Sequence, residues 1–144
     1  MKKYITGCII ALIVVLIYNP IKATISNNQT ENQSISFQVY KGSDYTAAAY
    51  NTASAKINIL VEKVTGSKRT SVWQQTIDAR ALNQYPDVQN ALSKTITVNG
   101  ISNSKEHLEV TYTLIYNAQG TELQMQNGTV LSKTANNNKI MISI

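Results

Sequence analysis

The side chains that could carry out covalent or acid–base chemistry are few in this sequence. Its 144 residues include one histidine, His107, and one cysteine, Cys8. Nucleophilic catalysis needs a nucleophile that a neighbouring base activates, and the Gly-x-Ser-x-Gly motif of one large hydrolase class is absent. We therefore predict that the protein is not an enzyme. The alternative that stays open is a hydrolase assembled from residues distant in the sequence, with His107 as its only histidine.

Metal and cofactor sites lack their residues as well. A zinc site takes three or four His, Cys or carboxylate ligands, and the single histidine with scattered carboxylates has no spacing that supports one. The sequence contains no calcium-binding loop and no glycine-rich phosphate loop. The acidic residues after position 33 form no local pair suited to glycoside hydrolysis. We predict no metal and no cofactor.

The first 23 residues have the features of a secretion signal. Two lysines precede an apolar run at 5–18, which is 14 residues long, whereas a helix that spans a bilayer needs roughly 20. Pro20 follows, and Ala23 is the predicted cleavage position. We predict an exported protein, periplasmic or extracellular, that touches the membrane only through this signal before cleavage. An uncleaved anchor is the alternative. Cleavage would also remove Cys8, so no disulfide is expected.

Charge and composition after the signal exclude one class of partner. Three of the 13 basic residues lie in the signal, so ten remain against eight acidic residues, a net charge of +2. This balance is not typical of a nucleic-acid-binding protein. Residues 24–33 are almost entirely polar and are predicted to form a flexible leader. The partner we expect is another exported protein.

From position 34 onward, apolar and polar residues alternate with the period of a β-strand. Gly, Asn, Asp and Ser mark turns between the alternating segments. Residues 78–93 instead contain Ala, Leu, Gln and Asn, which favour one short helix or helical loop. The predicted strands are 35–39, 56–63, 70–77, 95–98, 107–116, 121–131 and 139–144. This spacing indicates one domain over 34–144, an immunoglobulin-like antiparallel β-sandwich of about seven strands. A transthyretin-like arrangement is the alternative.

A candidate interaction face follows from the polar positions of the predicted strand 56–63. Alternation places its polar side chains on the solvent side, and the turn that follows adds basic residues. Tyrosines in the Ala-rich stretch after the first strand could add contact area, because exposed tyrosines suit binding surfaces for protein or glycan. The residues of this candidate face are Lys56, Asn58, Glu62, Lys63, Lys68, Arg69, Tyr45 and Tyr50.

The order of these parts resembles the small curli assembly chaperones of bacteria. The resemblance lies in the strand 34–39 followed by Gly42-x-Asp44-Tyr45-Thr46, in the hairpin 57–63 with 71–77, and in the segment 108–124. It implies an immunoglobulin-like periplasmic protein that keeps curli-type amyloid subunits from polymerising too early, through contacts of its polar strand faces. The cysteine pair of the family's closest-studied branch has no counterpart after the signal.

A second function from a different class stays open. The protein could be a structural or adhesive subunit of a bacterial surface fibre, in which the C-terminal strand 139–144 completes a neighbouring copy. It could also be a secreted module that binds a protein or a glycan.

Overall fold

The computed structural model describes residues 30–102, 104–132, 135 and 137–144. They form an all-β sandwich of seven strands in two sheets, as the alternation predicted. The predicted signal peptide, its cleavage position Ala23 and residues 24–29 of the predicted leader lie outside the described residues. The strands are β1 (Thr30–Tyr40), β2 (Ala53–Thr65), β3 (Lys68–Ala81), β4 (Leu92–Ser102), β5 (Glu106–Ala118), β6 (Thr121–Val130) and β7 (Asn137–Ser143).

The strand order is immunoglobulin-like for the first six strands. One sheet has four strands in the order β3-β2-β5-β6, and the other has three in the order β4-β1-β7. In immunoglobulin domains the strands C′, C, F and G form one sheet, while B and E are neighbours in the other. The strands β1 to β6 occupy the places of B, C, C′, E, F and G, and the last strand, β7, lies where strand A would be.

The pairing of β7 departs from the antiparallel sandwich that we predicted. It runs parallel to β1, with seven consecutive residue pairs from Ser34–Asn137 to Tyr40–Ser143. All other strand pairs are antiparallel. Alternation of apolar and polar residues is the same in both directions, so the sequence pattern could not distinguish them. After β6 the chain crosses from the four-stranded sheet to the three-stranded sheet, and it then runs beside β1 in the same direction as β1.

The predicted short helix or helical loop at 78–93 is confirmed in its middle, as two separate 3₁₀ turns, and is wrong at its ends, which belong to strands. Strand β3 continues through Ala81, two single-turn 3₁₀ helices occupy Leu82–Gln84 and Val88–Asn90, and β4 begins at Leu92. A third such turn lies at Ala48–Tyr50. Pairing with β2 keeps 78–81 in the sheet despite a composition that favours a helix. Among the described residues, no helix has the length and apolar content that crossing a membrane requires.

The core lies between the sheets and follows from the alternation. Every second residue of β1, β2 and β5 points inward, and most of these side chains are buried. Trp73 of β3 stacks on Phe37 of β1 with ring centroids 5.2 Å apart, which connects the two sheets. Tyr112 and Tyr116 pack against this core, as their position on the apolar face of their strand predicted.

Strand β1 begins earlier than the predicted leader allows. Residues 30–33 pair with β4 and β1 is continuous from Thr30, so the end of the predicted leader belongs to the sheet. Gln33 is only 1% exposed and points inward with Ile35 and Phe37. Its side-chain oxygen Oε1 has no hydrogen-bond partner among the described residues. A polar residue in a polar stretch therefore occupies a core position that its type did not indicate.

Candidate functional site

The outer face of the four-stranded sheet carries half of the predicted interaction residues. Lys56, Asn58 and Glu62 lie on this face because they alternate with the buried positions of β2. Lys56 and Asn58, but not Glu62, line an open groove of 650 Å³ in which most of the lining residues are polar. Thr76 of β3 donates a hydrogen bond to the Oδ1 atom of Asn58 at 3.0 Å. The outward-facing residues that line the groove are Lys56, Asn58, Leu60, Gln74, Thr76, Thr111, Thr113 and Gln126.

An ion-pair network closes one end of this face. The Arg69 guanidinium contacts Glu109 at 2.5 Å and Glu62 at 3.3 Å. His107 Nε2 lies 3.1 Å from the other oxygen of Glu109. The hydrogen bond from Arg69, and after it that from His107, hold the pKa of Glu109 below its usual value. Hydrogen bonding to Glu109 in turn raises the pKa of Arg69. The network ties β3 across β2 to β5.

Lys63 does not belong to this face. Alternation along β2 places Lys63 on the side of the sheet that faces the core, at the end of the strand where the core stops. Its Nζ atom pairs with Glu106 at 3.3 Å, and Glu106 also accepts hydrogen bonds from Thr65 and from the backbone N–H of Ser102. The backbone hydrogen bond is the main cause that lowers the pKa of Glu106. Lys63 therefore fixes the β4–β5 connection to β2.

The remaining predicted residues lie apart from one another. Lys68 is exposed at the start of β3, and alternation points it away from the side that Arg69 faces. Neither Lys68 nor Lys56 has an ion pair within the described part of the chain. The structure thus brings together Lys56, Asn58, Glu62 and Arg69, and separates Lys63 and Lys68 from them.

The two predicted tyrosines form a local contact near β7 and away from the outer face. Tyr45 has a positive φ of 50°, and its hydroxyl donates a hydrogen bond to the carbonyl oxygen of Ile144. Its ring meets the Tyr50 ring edge to face, with centroids 5.1 Å apart. Burial, with a smaller contribution from Tyr50, raises the pKa of Tyr45. Tyr45 therefore packs the β1–β2 connection, and only Tyr50, which is 40% exposed, offers surface.

The feature that sequence reasoning missed is the edge of β6. All ten residues of this strand are exposed. Its ladder with β5 runs through ten consecutive pairs without a register shift. The strand contains one charged residue, Glu122, and no lysine, arginine or proline. An edge strand with these properties presents unpaired N–H and C=O groups to which another strand can add.

Large apolar side chains accompany this open edge. Leu123 and Met125 pair with Tyr116 and Leu114 on the inward side of the sheet, yet they are 60% and 48% exposed. They are uncovered because the facing sheet has three strands against four and does not extend over β6. Val130, on the outward side, is 64% exposed. The alternation Leu-Gln-Met-Gln indicated a strand but not that its apolar side would lack a cover.

The only histidine lies in the ion-pair network at the end of the outer face. No group of three or more His, Cys, Asp or Glu residues that could hold a metal ion occurs within the described ranges. The carboxylate beside His107 is Glu109, which Arg69 also holds. A carboxylate with a lowered pKa is a weak base. Glu109 is therefore poorly suited to accept a proton.

No protein-family model, curated protein or solved structure matches this chain. The resemblance to curli assembly chaperones remains a prediction from the sequence.

Proposed function

We propose that the chain is an exported accessory protein that binds an extended strand of another exported, fibre-forming polypeptide along β6. In this role it acts as a chaperone or inhibitor of amyloid-type assembly. The observation that carries the proposal is the edge of β6, which is ten residues long, has no bulge and carries a single charge, Glu122. Binding would add a fifth strand to the four-stranded sheet through main-chain hydrogen bonds.

The side chains beside the edge define the chemistry of the partner strand. A strand added next to β6 places alternate residues beside Leu123 and Met125 on one side and beside Gln124 and Gln126 on the other. The complementary segment has apolar residues on one face and Asn, Gln or Thr on the other. Segments with high β-propensity and stacked Asn or Gln side chains are typical of amyloid-forming chains. The polar groove beside Gln126 extends the surface available to such a partner.

The β3 edge of the same sheet is the reason to expect that the protein inhibits fibre growth rather than extends the fibre. Pairing between β2 and β3 has two register shifts, and β3 carries Lys68, Arg69, Asp78 and Arg80. Bulges and charges are the features by which natural proteins block strand addition. A fibre end that joins β6 therefore meets a sheet that ends at β3. One bound copy would cap a fibre end, so an effect is expected well below equimolar amounts.

The first experiment measures thioflavin fluorescence while a curli-type subunit polymerises, with the purified exported protein added well below equimolar. We expect a longer lag phase. The double variant Leu123→Lys, Met125→Lys puts charges beside the edge at exposed positions and should abolish the delay. The matched control is the double variant Thr70→Lys, Val72→Lys, which adds the same two charges at exposed positions of β3. An unchanged lag with the unaltered protein, or an equal effect of both variants, would contradict the proposal.

The observation on β7 favours a second candidate, a structural subunit of a surface fibre. Among the described strands it pairs with β1 alone, it supplies the buried side chain of Ile142, and the residue directly after it, Ile144, is buried as well. Exchange of β7 between copies would keep these contacts while linking the chains. Size-exclusion chromatography over a wide range of protein concentrations tests it. Growing oligomers would support strand exchange, whereas a monomer at every concentration would exclude it.

A further inference from the structure

A cleft opens between the two sheets on the side away from β6. It has a volume of 340 Å³ and lies between the edge strands β3 and β4, with β1 and β2 beneath it. This volume is within the range of roughly 300–1,000 Å³ that is typical of small-molecule sites. Five apolar side chains form its inner surface: Phe37, Val39, Ile59, Ile77 and Leu92. The three of these that belong to β1 and β2 are core residues, 1–3% exposed, so the floor is a continuation of the core.

Positive charge predominates among the polar side chains of the cleft. Arg80 of β3 and Lys94 of β4 line it from its two sides, together with one acidic residue, Asp78. Within the described residues, neither cation lies within 4.0 Å of a carboxylate. Both are therefore available to an anion from outside the protein.

Arg80 is held in place by an aromatic ring. Its guanidinium carbon lies 5.3 Å from the centroid of the Tyr85 ring, a cation–π contact. Tyr85 is itself fixed, because it is 1% exposed and its hydroxyl donates a hydrogen bond to the Ala55 carbonyl at 2.8 Å. An arginine that is positioned in this way loses less freedom when it binds an anion than a free surface side chain does.

We propose that this cleft binds a small amphipathic anion, an organic acid with a short apolar tail. The acid group lies between Arg80 and Lys94, which donate charge-assisted hydrogen bonds to it. The tail contacts Phe37, Val39 and Leu92. The volume corresponds to about ten water-sized groups at about 30 Å³ each, which is the size of a medium-chain carboxylate. The site is separate from β6, so it does not rest on the proposed strand-binding function.

The only tryptophan of the sequence is a built-in reporter for the test. Trp73 stacks on Phe37, whose side chain lines the cleft. We would titrate the purified exported protein with octanoate, and separately with the uncharged octanol, and record Trp73 emission with isothermal calorimetry as an independent readout. Saturable binding of octanoate is expected, and weaker binding of octanol. Equal affinity for the two would show that charge plays no part and would overturn the proposal.

Two variants that each remove one positive charge test whether Arg80 and Lys94 bind the acid group. Arg80→Gln and Lys94→Gln should each weaken octanoate binding about three- to fivefold, the effect of one partly exposed ion pair. Lys94 is exposed, so Lys94→Gln leaves the fold intact. This variant therefore tests the proposal independently of any change in the fold that Arg80→Gln causes by removing the contact with Tyr85. The matched control is Lys56→Gln, an equal loss of charge on the outer face. Absence of saturable binding, or an equal effect of Lys56→Gln, would overturn the proposal.

Discussion

The four-stranded sheet has two edges, β3 and β6, and they differ in register, in charge and in how their inward side chains are packed. The β3 edge has register shifts, four charged residues and a tryptophan that stacks against the facing sheet. The β6 edge has a regular ladder, one charge and two inward-facing apolar side chains, Leu123 and Met125, that are 60% and 48% exposed. A single sheet thus combines a closed and an open edge. An open edge that served no purpose would be an aggregation hazard, and this contrast is the reason to assign β6 to binding.

The largest difference in stability between the two edges is expected when an inward-facing side chain of each edge strand is replaced by alanine. Trp73→Ala removes the stack on Phe37 and should lower the free energy of unfolding by about 2–4 kcal/mol. Leu123→Ala should change it by less than about 0.5 kcal/mol, because that side chain is 60% exposed. Urea unfolding followed by circular dichroism measures both variants. Similar losses in the two would mean that β6 is covered in solution, and the contrast between the edges would disappear.

The two edges should also respond differently to acid. Glu109 ties β3 to β5 through Arg69, and its folded-state pKa is below its usual 4.5. The stability that this contact adds is present above pH 4.5 and is lost as the pH falls through the folded-state pKa. Glu109→Gln should lower the melting temperature at neutral pH and reduce its decline in acid.

Glu122→Gln on β6 is the matched control for that measurement. Among the described residues Glu122 has no ion pair, and its side chain accepts a hydrogen bond from Gln124 of its own strand at 2.7 Å. Its variant should therefore follow the unaltered protein from neutral pH to pH 3. Melting curves recorded by circular dichroism at several pH values would decide. If Glu109→Gln and Glu122→Gln reduce the pH dependence of the melting temperature equally, the loss of stability in acid does not come from the ion-pair network of Arg69 and Glu109.

The alternation in the sequence predicted the strands because inward and outward positions differ in polarity wherever a sheet has a buried side. It located β2 and β5 closely, since their inward positions are consistently apolar. It failed at 78–81, where the Asp-Ala-Arg-Ala composition suits a helix but pairing with Ser54 and Ala55 prevails. It also failed at Gln33, where a polar residue is buried by the sheet around it.

The candidate site was less predictable than the fold for a physical reason. The exposure of Leu123 and Met125 depends on how many strands the facing sheet contains, and no local pattern encodes that number. Alternation correctly placed Lys56, Asn58 and Glu62 on one face. Alternation also puts Lys63 on the inward side, but it could not show that the core ends before this residue or that Lys63 pairs with Glu106. Edges and sheet ends are determined by tertiary packing, and the proposed contacts lie there.

The smallest effect is expected at Gly128, the one glycine of β6. A glycine inside a strand costs roughly 0.5–1 kcal/mol relative to alanine because the unfolded chain has more freedom. An added Cβ would lie 3.7 Å from Thr111 Oγ1 and from the Val110 carbonyl, which is ordinary contact distance. Gly128→Ala should therefore raise the free energy of unfolding by about 0.5 kcal/mol, measured by urea unfolding. It should leave the effect on fibre lag unchanged, because the edge groups of β6 keep their places. A stabilised variant that no longer delays polymerisation would mean that partner binding requires a deformable β6, and the regular ladder would not be the feature that binds.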